Sequence, residues 1–160
     1  GPFEGSPAIF RTTAADWQAN PELAEEMFGP AGIIVECDTP EEMVALSATL
    51  IGQLTATVHM VDADAELAGK LRPALEKCAG RILINGWPTG VEVCHSMVHG
   101  GPYPASTDSR ATSVGSLAIK RFIRPVSYQA FPDALLPEAL KDANPLNIPR
   151  LVNGKWQMPK

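Results

Sequence analysis

The stretch AGIIVECDTPEEMVALSATLIGQLTATVHMV, residues 31–61, decides the fold. It opens on a short apolar run, AGIIVEC (31–37), the pattern of a strand buried on both faces. Thr39 then offers a helix cap, Pro40 stands at the first helical position where a missing N–H costs nothing, and Glu42 lies three residues after the cap. Met43, Val44, Leu46 and Leu50 repeat on one side of the helix that follows. LTATVHMV (54–61) is β-branched and reads as the next strand.

The same alternation continues outward. Asp62 or Asp64 opens a second helix with Leu67, Leu71 and Leu75 four residues apart; Pro73 is placed to kink it and Gly80 to end it in a left-handed turn. RILIN (81–85) is a third strand. Strand, helix, strand, helix, strand with short links predicts an α/β fold, a βαβαβ portion of one parallel sheet. Upstream, PAIFRT (7–12) reads as a short strand, Thr13 caps a turn over AADWQ, and Asn20 with Pro21 opens another. That last turn is expected to carry Glu25 and Glu26 and to stop at Gly29-Pro30.

Beyond residue 85 the texture changes. GWPTGVEVCHSMVHGGPYPASTDSR (86–110) is rich in glycine and proline, and a loop this long in a compact domain is usually functional or mobile. TSVGSLAIKRF (112–122) predicts a short helix capped by Thr112 or Ser113. FIRPVSYQAF (122–131) reads as extended, with Pro125 confining it to an edge or bulge. PEALKD is a short helix, and residues 144–160 read as an extended arm. The division expected is 1–121 and 122–160.

Bulk properties narrow the function. With 45% hydrophobic and 19% charged residues in 160, the chain is globular and long enough for one core. A net charge of −5 without a basic stripe argues against nucleic acid as a partner. No apolar run is long enough to span a membrane, and no signal-peptide pattern is visible. Three irregularly spaced cysteines form neither a disulfide framework nor a zinc motif, which favours a reducing, cytoplasmic setting. The start at Gly1-Pro2, without Met, suggests a processed, tagged or truncated chain.

Two blocks carry candidate chemistry. Glu25-Glu26-Met27-Phe28-Gly29-Pro30 admits two readings: a polyol or ribose site, in which a carboxylate accepts from both hydroxyls of a vicinal diol beside an aromatic wall, or solvated acids beside a core Phe. Cys94, His95 and His99 suggest a thiolate nucleophile or a metal site, but strand neighbours point to opposite faces and no fourth ligand has suitable spacing. Cys37 and Cys78 read as packing residues. HGGPYPAS (99–106) is a stiff turn without the Lys of a phosphate loop; it either reverses the chain or lines a pocket. INGWPTG (84–90) leaves a strand's carboxyl end, where ligands sit in open α/β sheets.

NPELAEEMFGPAGIIVECDTPEEMVALSATLIGQLTATVH resembles the late catalytic domain of the aldehyde dehydrogenase superfamily, through its Glu-Glu-hydrophobic-Phe-Gly-Pro block. The strand ending at Asn85 is similar to the family's later strand-Asn block. HGGPYPASTDSRATSVGSLAIKRFIRPVSYQAFPDALLPEALKDANP is similar to the branch of NADP-preferring and 2-oxoglutarate semialdehyde (2,5-dioxopentanoate) dehydrogenases. The resemblance implies that Glu26 binds the nicotinamide ribose of NADP or NAD and that Phe28 packs by the nicotinamide. It implies that Trp87, Pro88 and Thr89 line the aldehyde entrance, and that 122–131 is an oligomerisation strand joining homo-oligomer subunits. The family's Gly-Gln-x-Cys nucleophile motif, its Gly-rich dinucleotide-binding unit, its general-base Glu and its oxyanion Asn have no counterpart here. The expectation is therefore a C-terminal part of an NAD(P)-dependent aldehyde dehydrogenase, inactive alone. A stand-alone binding or assembly module is the alternative, and a Cys94-based hydrolase is a third reading.

Overall fold

A computed structural model describes residues 4–159. The chain divides into two compact units, one through Ile123 and one from Arg124.

In the first unit, β1 (Ala8–Thr13) runs into α1 (Ala14–Ala19), where the Thr13 hydroxyl accepts from Asp16 N at 3.1 Å and caps the helix. A 3-10 turn at Pro21–Ala24 leads to β2 (Ala31–Glu36), which pairs parallel with β1 from Ala8↔Ala31 to Thr13↔Glu36. Next comes α2 (Pro40–Ser47), with Thr39 Oγ1 accepting from Glu42 N at 3.1 Å and Glu42 Oε2 accepting from Asp38 N at 2.6 Å. β3 (Gln53–Val58) is followed by α3 (Ala65–Cys78) and β4 (Ala79–Ile84), which pairs parallel with β3. Each parallel pair is thus joined by a crossover containing a helix, as parallel pairing requires.

The pairing corrects the expectation of one continuous sheet. β1 pairs with β2 and β3 with β4, and the two pairs are separate two-stranded sheets. β2 is accordingly not buried on both faces, and Ile34 is 53% exposed. The packed centre lies instead on α3: Leu71, Leu75 and Cys78 share one helix face and meet Ala79, with Val44, Ala56, Val58 and Leu67 around them. Pro73 sits inside α3 without ending it.

Three helix ends also differ from expectation. α2 stops at Ser47, short of Leu50, where Ser47 Oγ donates to Val44 O and Thr49 Oγ1 to Leu46 O, each at 2.7 Å; these hydroxyls occupy carbonyls at the helix end. Gly80 does not cap α3, because the chain is already extended at Ala79 and Gly80 lies inside β4. Its lack of a side chain serves a close approach: a Cβ there would stand 2.1 Å from Gly100 O. Residues Ser116–Phe122 form a 3-10 helix whose cap position is Gly115, since the Thr112 hydroxyl is committed elsewhere.

In the second unit, Tyr128 and Phe131 meet edge-on at 5.2 Å, and 3-10 turns cover Asp133–Leu135 and Glu138–Leu140. The tail is not an extended arm. β5 (Arg150–Val152) and β6 (Lys155–Gln157) form an antiparallel hairpin around Asn153 and Gly154, both at positive φ (51° and 76°). Two central residues at positive φ match the right-handed twist of the flanking strands. Arg150 ties the hairpin down by donating to Lys141 O at 2.6 Å and Asp142 O at 3.2 Å. Among the described residues, 122–131 forms no strand ladder.

Candidate functional site

The 3-10 turn ends at Ala24, so Glu25 and Glu26 are not helical as expected. Glu25 closes the turn through its N–H to Glu22 O at 3.2 Å and then adopts extended backbone, φ −73° and ψ 139°. Glu26 and Phe28 share one cleft, of about 530 Å³, with Ile51–Thr55 and Pro104–Ala105. Met27 instead lines a different cleft with Phe10 and Ala31–Ile33, and Glu25 borders both. In a helix, positions two apart diverge; here the helical turn has ended at Ala24, before this carboxylate and this ring. At Phe28 itself the chain turns tightly, Gly29 N donating to Met27 O at 2.9 Å, turns again as Ala31 N donates to Gly29 O at 2.8 Å, and enters β2.

Among the described residues, Glu26 has no hydrogen-bond or ion-pair partner, and the Phe28 ring is 94% exposed. A free carboxylate beside a bare aromatic face, at the mouth of a cleft, can accept two hydroxyl protons and stack on a flat group. The opposite wall comes from the start of β3 and from the 99–106 segment. Ile51, Gly52 and Pro104 carry no ligand-type signal in the sequence; only the stiffness of HGGPYPAS pointed toward a pocket.

Trp87 lies at the other end of β3. Its ring stands 5.3 Å from that of His59, just past the strand's C-terminus. Since the Glu26–Phe28 cleft reaches β3 as far as Thr55, the two sets of candidates are about 13 Å apart along the strand. The turn that presents Trp87 is set by Asn85, at φ 52°. Its backbone N–H donates to Val58 O at 3.0 Å, and its carboxamide pairs with both Met60 N (2.7 Å) and Met60 O (2.8 Å), prolonging the β3–β4 ladder by side chain. Beyond Pro88 and Thr89, Arg81 Nη1 holds Gly90 O at 2.7 Å.

The cysteines offer no nucleophile paired with a base. Cys94 Sγ lies 3.5 Å from Ser96 Oγ, and among the described residues it makes no hydrogen bond with His95 or His99. No three His, Cys, Asp or Glu among the described residues gather as metal ligands. Cys78 is in the core and burial pushes its thiol pKa up. The Cys37 thiol is raised too, by partial burial and then by Glu42 and Asp38, which disfavours a thiolate. No helix among the described residues is long and apolar enough to cross a membrane.

No family model matches the chain. Over 148 residues it is 53% identical to alpha-ketoglutaric semialdehyde dehydrogenase 2 of Azospirillum brasilense, a match that covers 92% of this chain and 28% of that protein. Over 135 residues it is also 53% identical to alpha-ketoglutaric semialdehyde dehydrogenase of Acinetobacter baylyi, covering 84% of this chain and 26% of that one. The chain belongs to the aldehyde dehydrogenase family. It spans about a quarter of the length of these relatives and corresponds to a C-terminal part of them.

For a member of the aldehyde dehydrogenase family a nicotinamide dinucleotide is the implied cofactor. The residues present fit part of such a group. The uncommitted Glu26 carboxylate suits a ribose diol and the bare Phe28 ring suits a flat heterocycle, with a cleft between them.

Proposed function

We propose that this chain supplies the nicotinamide side of an NAD(P)-dependent aldehyde dehydrogenase that oxidises 2-oxoglutarate semialdehyde to the carboxylate. The observation that carries the reading is the presence of Glu26 and Phe28 in one cleft, in a chain of this family. Glu26 accepts from the two ribose hydroxyls and fixes the sugar. Phe28 packs on the nicotinamide and limits its tilt. The bound cofactor supplies the hydride acceptor; these two residues set where it stands, and small misplacements of reacting atoms are costly.

Trp87, Pro88 and Thr89 wall the aldehyde entrance, with Asn85 and Arg81 holding the two ends of that turn. Residues 122–131 add to a neighbouring subunit by strand pairing, which suits a segment with unladdered backbone and exposed Phe122, Ile123 and Val126. The thiolate nucleophile and the dinucleotide-binding domain belong to chain outside these residues. The large hydrophobics left open here, Ile9, Phe10 and Ile34 among them, suit surfaces that such a remainder covers.

The test is NAD(P)H absorbance with a panel of aldehydes. A protein carrying this segment after a Gly-Gln-x-Cys segment turns over 2-oxoglutarate semialdehyde, and the 160 residues alone do not. Robust turnover by the 160 residues alone would refute the division of labour.

A further inference from the structure

The dipeptide Asn-Gly occurs twice in the sequence, at Asn85-Gly86 and at Asn153-Gly154. Both asparagines are exposed and both hold positive φ, 52° at Asn85 and 51° at Asn153. Their carboxamides separate them. At Asn85 the side-chain oxygen accepts from Met60 N at 2.7 Å, the side-chain nitrogen donates to Met60 O at 2.8 Å, and the main-chain N–H donates to Val58 O at 3.0 Å. The Asn153 carboxamide has no hydrogen-bond partner among the described residues.

The surroundings differ in the same direction. Asn85 directly follows β4, whose ladder with β3 packs on α3 through Ala56, Val58 and Ala79. Asn153 stands at the tip of a hairpin of three residue pairs, and β6 is exposed along its whole length. An isolated two-stranded hairpin is marginally stable in water, so this turn opens at low cost. Around Gly154 the space is open: a Cβ there would meet nothing within 4 Å, and glycine itself places no side chain beside its nitrogen.

We propose that Asn153 is a site of spontaneous covalent modification, in which its carboxamide is lost through a cyclic imide and the residue becomes isoaspartate or aspartate, while Asn85 is spared. Once the turn opens, the Gly154 nitrogen gives up its proton and attacks Asn153 Cγ. The new C–N bond closes the imide ring, and the side-chain nitrogen leaves as ammonia, taking up a proton in place of the one released. Water then adds to one of the two ring carbonyls, and the ring C–N bond at that carbonyl breaks. Opening at Cγ gives aspartate. Opening at the main-chain carbonyl gives isoaspartate, whose main chain runs through Cβ and Cγ. No electrons change hands, and water is the sole co-reactant. Either product adds a negative charge, and isoaspartate also adds an atom to the main chain of a two-residue loop. Loop length fixes hairpin register, so Leu151 and Trp156 then no longer face each other. The proposal concerns this hairpin alone and does not involve Glu26 or Phe28.

The experiment is tryptic peptide mapping, by chromatography and mass spectrometry, of the whole chain aged for weeks at physiological temperature and pH. Trypsin releases Asn153 in peptide 151–155 and Asn85 in peptide 82–110. Freeing the Asn85 carboxamide gives up two hydrogen bonds, so the acid form of 151–155 should accumulate at least about tenfold faster than that of 82–110. Isoaspartate should be present in it as a separately eluting isomer. The same ageing in concentrated guanidinium chloride should bring the two rates together, because both asparagines precede glycine. Amide retained at Asn153 in the folded chain, over a period in which the denatured sample converts, overturns the proposal. So does a difference between the two sites that persists in denaturant, or conversion of Asn153 to aspartate without isoaspartate.

Discussion

Gly80→Ala would place a methyl carbon 2.1 Å from the carbonyl oxygen of Gly100 and 2.7 Å from its carbon, where ordinary contact begins near 3.4 Å. Both sides of this contact are backbone, β4 against the segment that carries His99 and Pro104, so no rotamer change can relieve it. The strand and the segment must part by roughly 1.3 Å, which forfeits dispersion contacts along the seam. Overpacking of this kind costs about 1–3 kcal/mol, and the rigidity of both partners puts this case near 3. For a chain of this size the melting temperature should fall by about 6–12 °C. Gly69→Ala is the control: Gly69 is exposed in α3 with nothing within 4 Å of its would-be Cβ. It should gain about 0.5–1 kcal/mol and melt about 1–4 °C higher. Thermal melts of the three proteins by circular dichroism at one scan rate decide the matter. A Gly80→Ala protein that melts with the parent, or a Gly69→Ala protein that is the worse of the two, refutes the close-approach reasoning.

Other outcomes follow from single contacts. Thr39→Ala removes the oxygen that receives Glu42 N at the start of α2, and should cost about 1 kcal/mol in a denaturant titration. The Arg11 guanidinium, bonded across the β1–β2 pair, holds the Glu36 carboxyl below its usual range, chiefly through that hydrogen bond. A folded-state pKa below the unfolded one stabilises above the unfolded value, about 4.3, and the gain is lost as pH falls through the folded value. Thermal stability should therefore fall more steeply on the acid side for the parent than for Glu36→Gln, as melts over a pH series would record.

Local chemistry was legible in the sequence, and partner choice was not. Thr13 and Thr39 announce their helices because a cap and its N–H lie within three residues. The pairing of β2 was misread because an apolar run says that a strand wants covering, not which edge it takes or how many neighbours it finds. Gly80 follows a helix, which suggests a cap, but the residue that requires a glycine there is Gly100, twenty positions on. Glu25 and Glu26 follow a helical turn, yet the turn closes at Glu25, and Glu26 and Phe28 come to line one cleft. The tail hairpin had a short-range signal, Asn153-Gly154 between strand-forming residues, which outweighs a general impression of a Pro-rich arm. Leu54 and Ala105, which line the cleft of Glu26 and Phe28, could not be found from sequence because nothing in their chemistry marks them.

The central claim is that Glu26 holds the ribose of a nicotinamide cofactor. Its most direct test is the steady-state KM for NAD(P)+ and the kcat of Glu26→Gln against the parent, in the dehydrogenase that carries this segment, with 2-oxoglutarate semialdehyde as substrate. Hydrogen bonds to a charged group contribute about 1.5–3 kcal/mol, so kcat/KM for the cofactor should fall by about 10- to 100-fold. Unchanged KM and kcat would contradict the account.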